Sequence, residues 1–470
     1  MPGSRHWGSI MTRTPVIGAV LALLAACTVG PRHVVPETPL PAKFDQATSE
    51  STHQPVVPKV WSGFGSAELD ALILRALEAN TTIAQAAARL AETRALSGLA
   101  IYSWFPTVTA GGSRSKSRFS SQDPNVPAGT FETWRAGFDA TWEIDLFGSL
   151  RNEQRSIDRR TEADAAALAA ARLSIIAETA QAWFSLIGAR ERLALQRRQL
   201  ANLQENVAIM QARVDAGSSN ALDLQRAITQ ARSLAAAVPD TEAEVVRQEQ
   251  RLAVLTAWTI GELRTHLSEQ ATIPELPALV ATGTPEAWIK RRPDIREAER
   301  RLAAATSDVG EEISEYFPKL NLLGEFGWTS DTRKALGEPE TERWFYGPSL
   351  TWSFLDFGRV RQHVKAAGAR RNGAIAAYQE TILRALEETE NALAGFRAAN
   401  QSEDELRAAA AAAAEAAKLS RMRYEVGASD YLTLLDAERT MLDLEDRHVQ
   451  AEARRATALA ALYKALAGDF

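Results

Sequence analysis

From Ala136 the chain alternates. Ala136, Phe138, Ala140, Trp142, Ile144 and Leu146 hold the even positions, while Arg135, Gly137, Asp139, Thr141, Glu143 and Asp145 hold the odd ones. A period of two puts the two sets on opposite faces of a β-strand. A later strip predicts a second such strand, with Trp344, Tyr346, Pro348, Leu350, Trp352 and Phe354 on one face and Gly347, Ser349, Thr351 and Ser353 on the other. A fainter partner precedes each, at Pro106-Val108-Ala110 and Pro318-Leu320-Leu322. Between partners, the polar stretches 113–130 and 330–343 read as exposed hairpin loops.

Elsewhere the pattern is helical. No proline occurs between Pro127 and Pro239, or after Pro348, and both stretches are rich in alanine, leucine, glutamate, arginine and glutamine. The stretch from Gly148 to Ala216 predicts one helix of about 69 residues, on the order of 100 Å long at 1.5 Å per residue. Gly148 and Gly358 are placed to turn the backbone from strand into helix. The segments 217–220 and 427–430, opened by Gly217 and Gly427, read as helix ends, tight turns and new N-caps, so each long helix folds back as a hairpin. Pro239 is expected to kink the first returning helix. The alanine runs serve helix propensity and close packing of long helices equally well.

These elements occur twice. Phe105-Pro106 returns as Phe317-Pro318, Trp142 as Trp352, Gly148 as Gly358, and "RVDAGSSNALDLQRA" as "RYEVGASDYLTLLDA", at offsets of 210–212 residues. Separate segments that keep one offset point to an internal duplication. The predicted boundaries are a signal at 1–26, an extended lipid-anchored segment at 27–66, a first repeat at 67–270, a linker at 271–291 and a second repeat at 292–470.

The N-terminus reads as an export signal, with Arg13 followed by "VIGAVLALLAA" and the sole cysteine, Cys27. Small residues before that cysteine fit a bacterial lipoprotein signal, in which Cys27 becomes the first mature residue and takes lipid; an ordinary signal with an incidental thiol is the alternative. Thr28, where an aspartate would favour inner-membrane retention, points to the outer membrane. Residues 1–10 read as an upstream extension, because a charged start and an apolar middle already follow Met11.

Export changes the meaning of the strands. A sheet on a soluble core would also have one apolar face. Aromatics near both strand ends and lengths approaching the ~9–11 residues that cross a bilayer favour membrane strands. About four strands cannot close a barrel in lipid, and an open edge there would leave backbone groups unpaired. Several chains are therefore expected to share one barrel.

Charge and motifs exclude more than they assign. Lysine and arginine number 53 against 59 acids, which argues against a nucleic-acid partner. There is no phosphate loop, GxSxG, CxxC or HExxH, and the six histidines lack metal-ligand spacing. No catalytic residue, metal or cofactor is expected, apart from the covalent lipid on Cys27.

The segments "CTVGPRHVVPETPLPAKF", "WSGFGSAELDALI", "DLFGSLR", "RRPDIREAE", "YFPKLNLLGEFG" and "LDFGRVR", with the paired hairpin turns, make the chain closely resemble outer-membrane efflux channels of the TolC, OprM and NodT type. The resemblance covers essentially the whole mature chain. It implies a mainly α fold with a small β part: a homotrimer forming a 12-stranded transmembrane β-barrel continued by a long periplasmic α-helical barrel. It also implies a passive duct for drugs, dyes, metals or other small toxic solutes, coupled to a periplasmic adaptor (membrane fusion) protein and an inner-membrane pump of the RND type. Helical tips that close the tube and open like an iris belong to the same resemblance. Carried over by position, the gate residues fall on Asp223 and Tyr424 and the aperture acid on Asp436, while Thr433 and Ser429 depart from the family's aspartate and latch arginine. Read without the resemblance, Asp223 serves helix capping equally well, and Tyr424 packing. A ring of three Asp436 carboxylates would attract cations. A periplasmic coiled-coil lipoprotein acting as scaffold or adaptor, or the same channel serving protein secretion, are the competing expectations.

Overall fold

The computed structural model describes residues 28–47, 64–120, 122, 128–218, 220–268, 270–277 and 280–466. The signal segment and the lipidation candidate Cys27 lie outside the described residues. The chain divides into two compact units.

The first unit comprises residues through Glu37, Arg89–Ala165 and Glu297–Gln379. It holds four strands, β1 (Thr107–Phe119), β2 (Gly129–Ile144), β3 (Lys319–Ser330) and β4 (Glu342–Thr351). They form one antiparallel sheet in the order β1-β2-β3-β4. Registers such as Trp142 to Leu322 to Pro348 and Phe138 to Phe326 to Trp344 bring the even-numbered side chains of all strands to one face.

Three details depart from the expectations. The stretch 113–130 is not all loop: β1 runs on to Phe119 and β2 starts at Gly129. Its serine, arginine and lysine alternation is polar on both faces and leaves no hydropathy period to detect, although Arg114 and Glu132 join across the strands at 2.8 Å. Trp352 and Phe354 lie past the end of β4, in the turn before the next helix. Gly358 makes no turn of its own; it lies in the first turn of a helix that starts at Phe357, and the bend is made by residues 353–356, with Asp356 N–H donating to Ser353 O at 2.9 Å.

At Gly148 the glycine is required. Its φ is +88°, and a Cβ there would lie 2.6 Å from Thr28 Cγ2. Asp145 closes this junction, accepting from Gly148 N–H at 2.8 Å and from the Arg151 guanidinium at 2.9 Å. Two tryptophans 210 residues apart make the same bond: Trp142 Nε1 donates to Trp104 O at 2.9 Å, and Trp352 Nε1 to Tyr316 O at 3.1 Å.

The second unit comprises Thr38–Ala88, Ala166–Arg296 and Glu380–Phe470. In chain order the helices are α1 (Ala67–Ala79), α2 (Thr81–Tyr102), α3 (Ser149–Asp215), α4 (Ala221–Thr256), α5 (Ile260–His266), α6 (Pro285–Ile289), α7 (Pro293–Ser314), α8 (Phe357–Glu425) and α9 (Tyr431–Ala465). The 67-residue α3 and the 69-residue α8 contribute their first turns to the first unit and the rest to the second, and α2 from Arg89 and α7 from Glu297 also belong to the first. Helix α4 continues through Pro239. The core of the second unit gathers Phe64, Trp183, Phe184, Ile176, Leu252 and Leu459, all under 3% exposed. Trp183 settles its indole N–H on Glu68 at 2.7 Å. At Gly188, α3 and α9 approach so closely that a side chain would collide with Ala453. Arg192 of α3 also grips Asp446 of α9 with two bonds of 2.6 and 2.9 Å.

Candidate functional site

In the first unit the candidate surface is the sheet. On its even-numbered face Phe138 is 50% exposed, Trp344 65% and Tyr346 77%, and Val108, Trp142, Leu322, Phe326 and Leu350 are exposed beside them. A contiguous apolar face of this size marks contact with lipid or protein rather than water. The odd-numbered face is polar: Asp139 stands opposite Glu325, and Arg343 pairs with Glu325. Strands β1 and β4 each leave one edge of backbone groups unpaired within the sheet. Gly137 and Gly327 face each other where β2 and β3 touch; a Cβ on Gly137 would lie 2.6 Å from Phe326 O. Among the described residues no helix is long and apolar enough to cross a membrane.

In the second unit the candidate surface is the pair of hairpin tips. Gly217, at φ +66°, ends α3 with Ser218 N–H donating to Arg213 O at 2.8 Å and Gly217 N–H to Val214 O at 2.9 Å. Gly427, at φ +75°, repeats this on α8 with Ala428 to Arg423 at 2.8 Å and Gly427 to Tyr424 at 3.0 Å. Crossed bonds of this kind need a left-handed residue, which is why glycine stands at both tips. Asn220 and Asp430 then cap α4 and α9. The Thr433 hydroxyl and N–H both donate to the Asp430 carboxylate, at 2.6 and 2.9 Å, and hold its pKa below the usual range.

Between the tips lies a small apolar cluster of Met210, Leu224, Ala227, Tyr431 and Leu434, with Tyr424 against it. Tyr424 meets Tyr431 with ring centroids 5.7 Å apart. Its hydroxyl accepts from Arg213 Nη1 at 3.1 Å, and that guanidinium lies over the Tyr424 ring. Burial pushes the Tyr431 phenol up to about 12, helped by Glu438, Tyr424 and Asp223 nearby. Asp223 sits in the first turn of α4: its N–H donates to Asn220 Oδ1 at 2.9 Å, and its carboxylate accepts from Asn220 Nδ2 at 2.9 Å and Arg226 at 3.2 Å.

The structure thus brings Asp223 and Tyr424 around Tyr431, whereas Asp436 stands apart and exposed. Arg213 and Tyr431 are the residues that the sequence reading missed. A signal for Arg213 existed, because the repeat offset places it opposite Arg423 in an otherwise matching segment. Among the described residues, no group of three or more histidine, cysteine, aspartate or glutamate side chains is placed to hold a metal.

Comparison with known proteins gives a consistent result. The sequence model of the family described as Outer membrane efflux protein matches residues 72–257 and again residues 284–468. Outer membrane protein OprJ of Pseudomonas aeruginosa is 30% identical over 474 residues, covering 97% of each chain. Nodulation protein T of Rhizobium leguminosarum bv. viciae is 29% identical over 89% of this chain and 85% of its own. Among solved structures, the outer-membrane channel OprN superposes with a TM-score of 0.88 at 34% identity, over 94% of this chain and 99% of that one. The open state of the Neisseria gonorrhoeae MtrE outer membrane channel superposes with a TM-score of 0.84 at 27% identity, over 94% and 98%.

Proposed function

Because the chain belongs to the outer membrane efflux protein family, we propose that it is the outer-membrane exit duct of a tripartite efflux system, with a large periplasmic portion and no catalytic step of its own. The observation that carries this reading is the sheet of the first unit: four strands with one exposed apolar face, one polar face and two open edges. One such sheet leaves backbone groups unpaired in lipid. Three copies joined edge to edge supply twelve strands, turn the apolar faces to lipid and the polar faces to a lumen. The chain is thus a protomer of a homotrimer, built from two repeats at 67–270 and 292–470 and tethered by lipid on Cys27. Helices of 67 and 69 residues, each on the order of 100 Å long at 1.5 Å per residue, reach far into the periplasm.

A passive duct needs an energy source elsewhere, so a periplasmic adaptor and an inner-membrane pump, of the RND type, complete the system. Its cargo is small toxic solutes or drugs. The tips are the gate: Tyr424 and Arg213 tie the two hairpins of one chain, Asp223 sits beside them, and three exposed Asp436 carboxylates bias the opening toward cations.

Dye accumulation tests the function. In cells deleted for this gene and for other ducts, plasmid-borne wild type with its adaptor and pump is expected to lower steady-state ethidium accumulation several-fold. Unchanged accumulation, with the protein present in the outer membrane, would refute the assignment.

A further inference from the structure

The first unit contains a cavity of about 500 Å³ that shares no lining residue with the sheet face or the hairpin tips. Its wall is built by residues 28–33 of the N-terminal strap, by α3 between Asn152 and Arg159, and by α7 near Thr306. The ionisable side chains on this wall are Arg32, His33, Arg155 and Arg159, with no carboxylate among them.

Neighbouring acids are already committed. Glu162 pairs with Arg159 at 2.8 Å and with Arg300 at 3.2 Å, and Asp308 takes Arg160 at 2.9 Å and the Ser156 hydroxyl. Arg32 and Arg155 are left without a bonded partner among the described residues. His33 bonds Glu299 through Nε2 at 2.7 Å, and its Nδ1 is shut off from solvent with no hydrogen-bond partner. The strap itself is fixed: Val29 N–H donates to Phe147 O at 3.1 Å, Asn152 Nδ2 donates to Val29 O at 3.0 Å, and Gly30 lies against Gly310 where a Cβ would come within 2.5 Å of its Cα. The cavity is therefore a preformed concave site with surplus positive charge.

We propose that this cavity binds a phosphate group through Arg32 and Arg155. Guanidinium groups match the tetrahedral oxygens of phosphate with paired, charge-assisted bonds, which a single lysine-like point charge does not. Position indicates the source. Gly148 directly follows the membrane-side sheet, and Arg155 lies seven residues further along α3, about 10 Å at 1.5 Å per residue. The lipid headgroup zone extends about 5–8 Å beyond the hydrocarbon on each side, so the flexible arginine side chains at the cavity mouth reach it. A headgroup phosphate of the periplasmic leaflet is the nearest supply, an assignment that rests on the outer-membrane reading; free phosphate offers the same chemistry.

The test uses the full-length protein in non-ionic detergent. Binding of inorganic phosphate is measured by calorimetry, and retention of phosphatidylglycerol or of an uncharged galactolipid with the same acyl chains by native mass spectrometry. Wild type is expected to retain phosphatidylglycerol over galactolipid and to release it to excess phosphate. The Arg32→Ala/Arg155→Ala variant should bind about ten-fold more weakly or worse, and Arg32→Lys/Arg155→Lys should bind between the two. Phosphate binding without phosphatidylglycerol retention keeps the anion site and overturns the lipid source. Equal retention of both lipids, or wild-type affinity in the double alanine variant, overturns the site. Channel conductance of the same preparations reports on the duct separately, so failure of one reading is not mistaken for failure of the other.

Discussion

Arg292 has a structural role that its motif alone does not reveal. Its side chain is 8% exposed and bonds Asp294 and Glu388 at 2.7 Å each. Together with Trp288 Nε1 it also donates to Ala465 O, the last carbonyl of α9, each at 3.0 Å. Helix ends leave carbonyls unpaired, and two donors here satisfy one that is buried. Arg292→Ala is expected to lower unfolding free energy by about 3 kcal/mol, because Asp294 loses its partner while Glu388 keeps only Lys464 and the helix end loses one of its donors; denaturant titration in detergent checks this. Glu311 behaves in the opposite sense. Burial, then the charges of Glu153, Asp308 and Glu312, push its pKa up to about 7. An acid whose folded pKa is raised contributes stability below its unfolded pKa and loses it as pH rises through the folded value. Wild type should therefore lose thermal stability relative to Glu311→Gln between about pH 4.5 and about pH 7. Parallel melting curves across that window would contradict the shift.

At the scale of elements, what could be read from the sequence follows from periodicity. The even-numbered face of β2 was legible because every second side chain is apolar, and the 67-residue α3 because nothing interrupts it. The outer half of β1 was not, since Ser113 to Arg118 is polar on both faces and pairing with β2 decides its conformation. Gly358 misled because a glycine 210 residues beyond Gly148 need not carry the same dihedral. Of the tip residues, Asp223 and Tyr424 came from resemblance. Arg213 and Tyr431 depend on which helices pack together, which no local pattern encodes. Where β2 and β3 meet, the glycines have a physical reason that periodicity does not show. Gly137→Ala is expected to reduce heat-modifiable oligomers in outer-membrane fractions several-fold, because its Cβ meets backbone at 2.6 Å. Gly112→Ala, whose nearest neighbour lies at 3.8 Å, should assemble normally. Equal assembly of both would show that the close approach does not matter.

For the whole molecule, the exposed apolar face and the open sheet edges have one economical resolution, closure among copies in a membrane. On the proposed reading the hairpin tips of the long helices are the gate. Among the described residues, polar bonds between the two hairpins sit at Arg192 with Gln196 on Asp446, at Gln199 on Glu445, and at Arg213 on Tyr424. The last is the tie at the tips. Single-channel recording in planar bilayers of the purified full-length protein, beside an Arg213→Ala/Tyr424→Phe variant, tests the central claim most directly. The account predicts a small wild-type conductance that rises in the variant. No conductance from either protein, with folding and insertion verified, would contradict the duct itself.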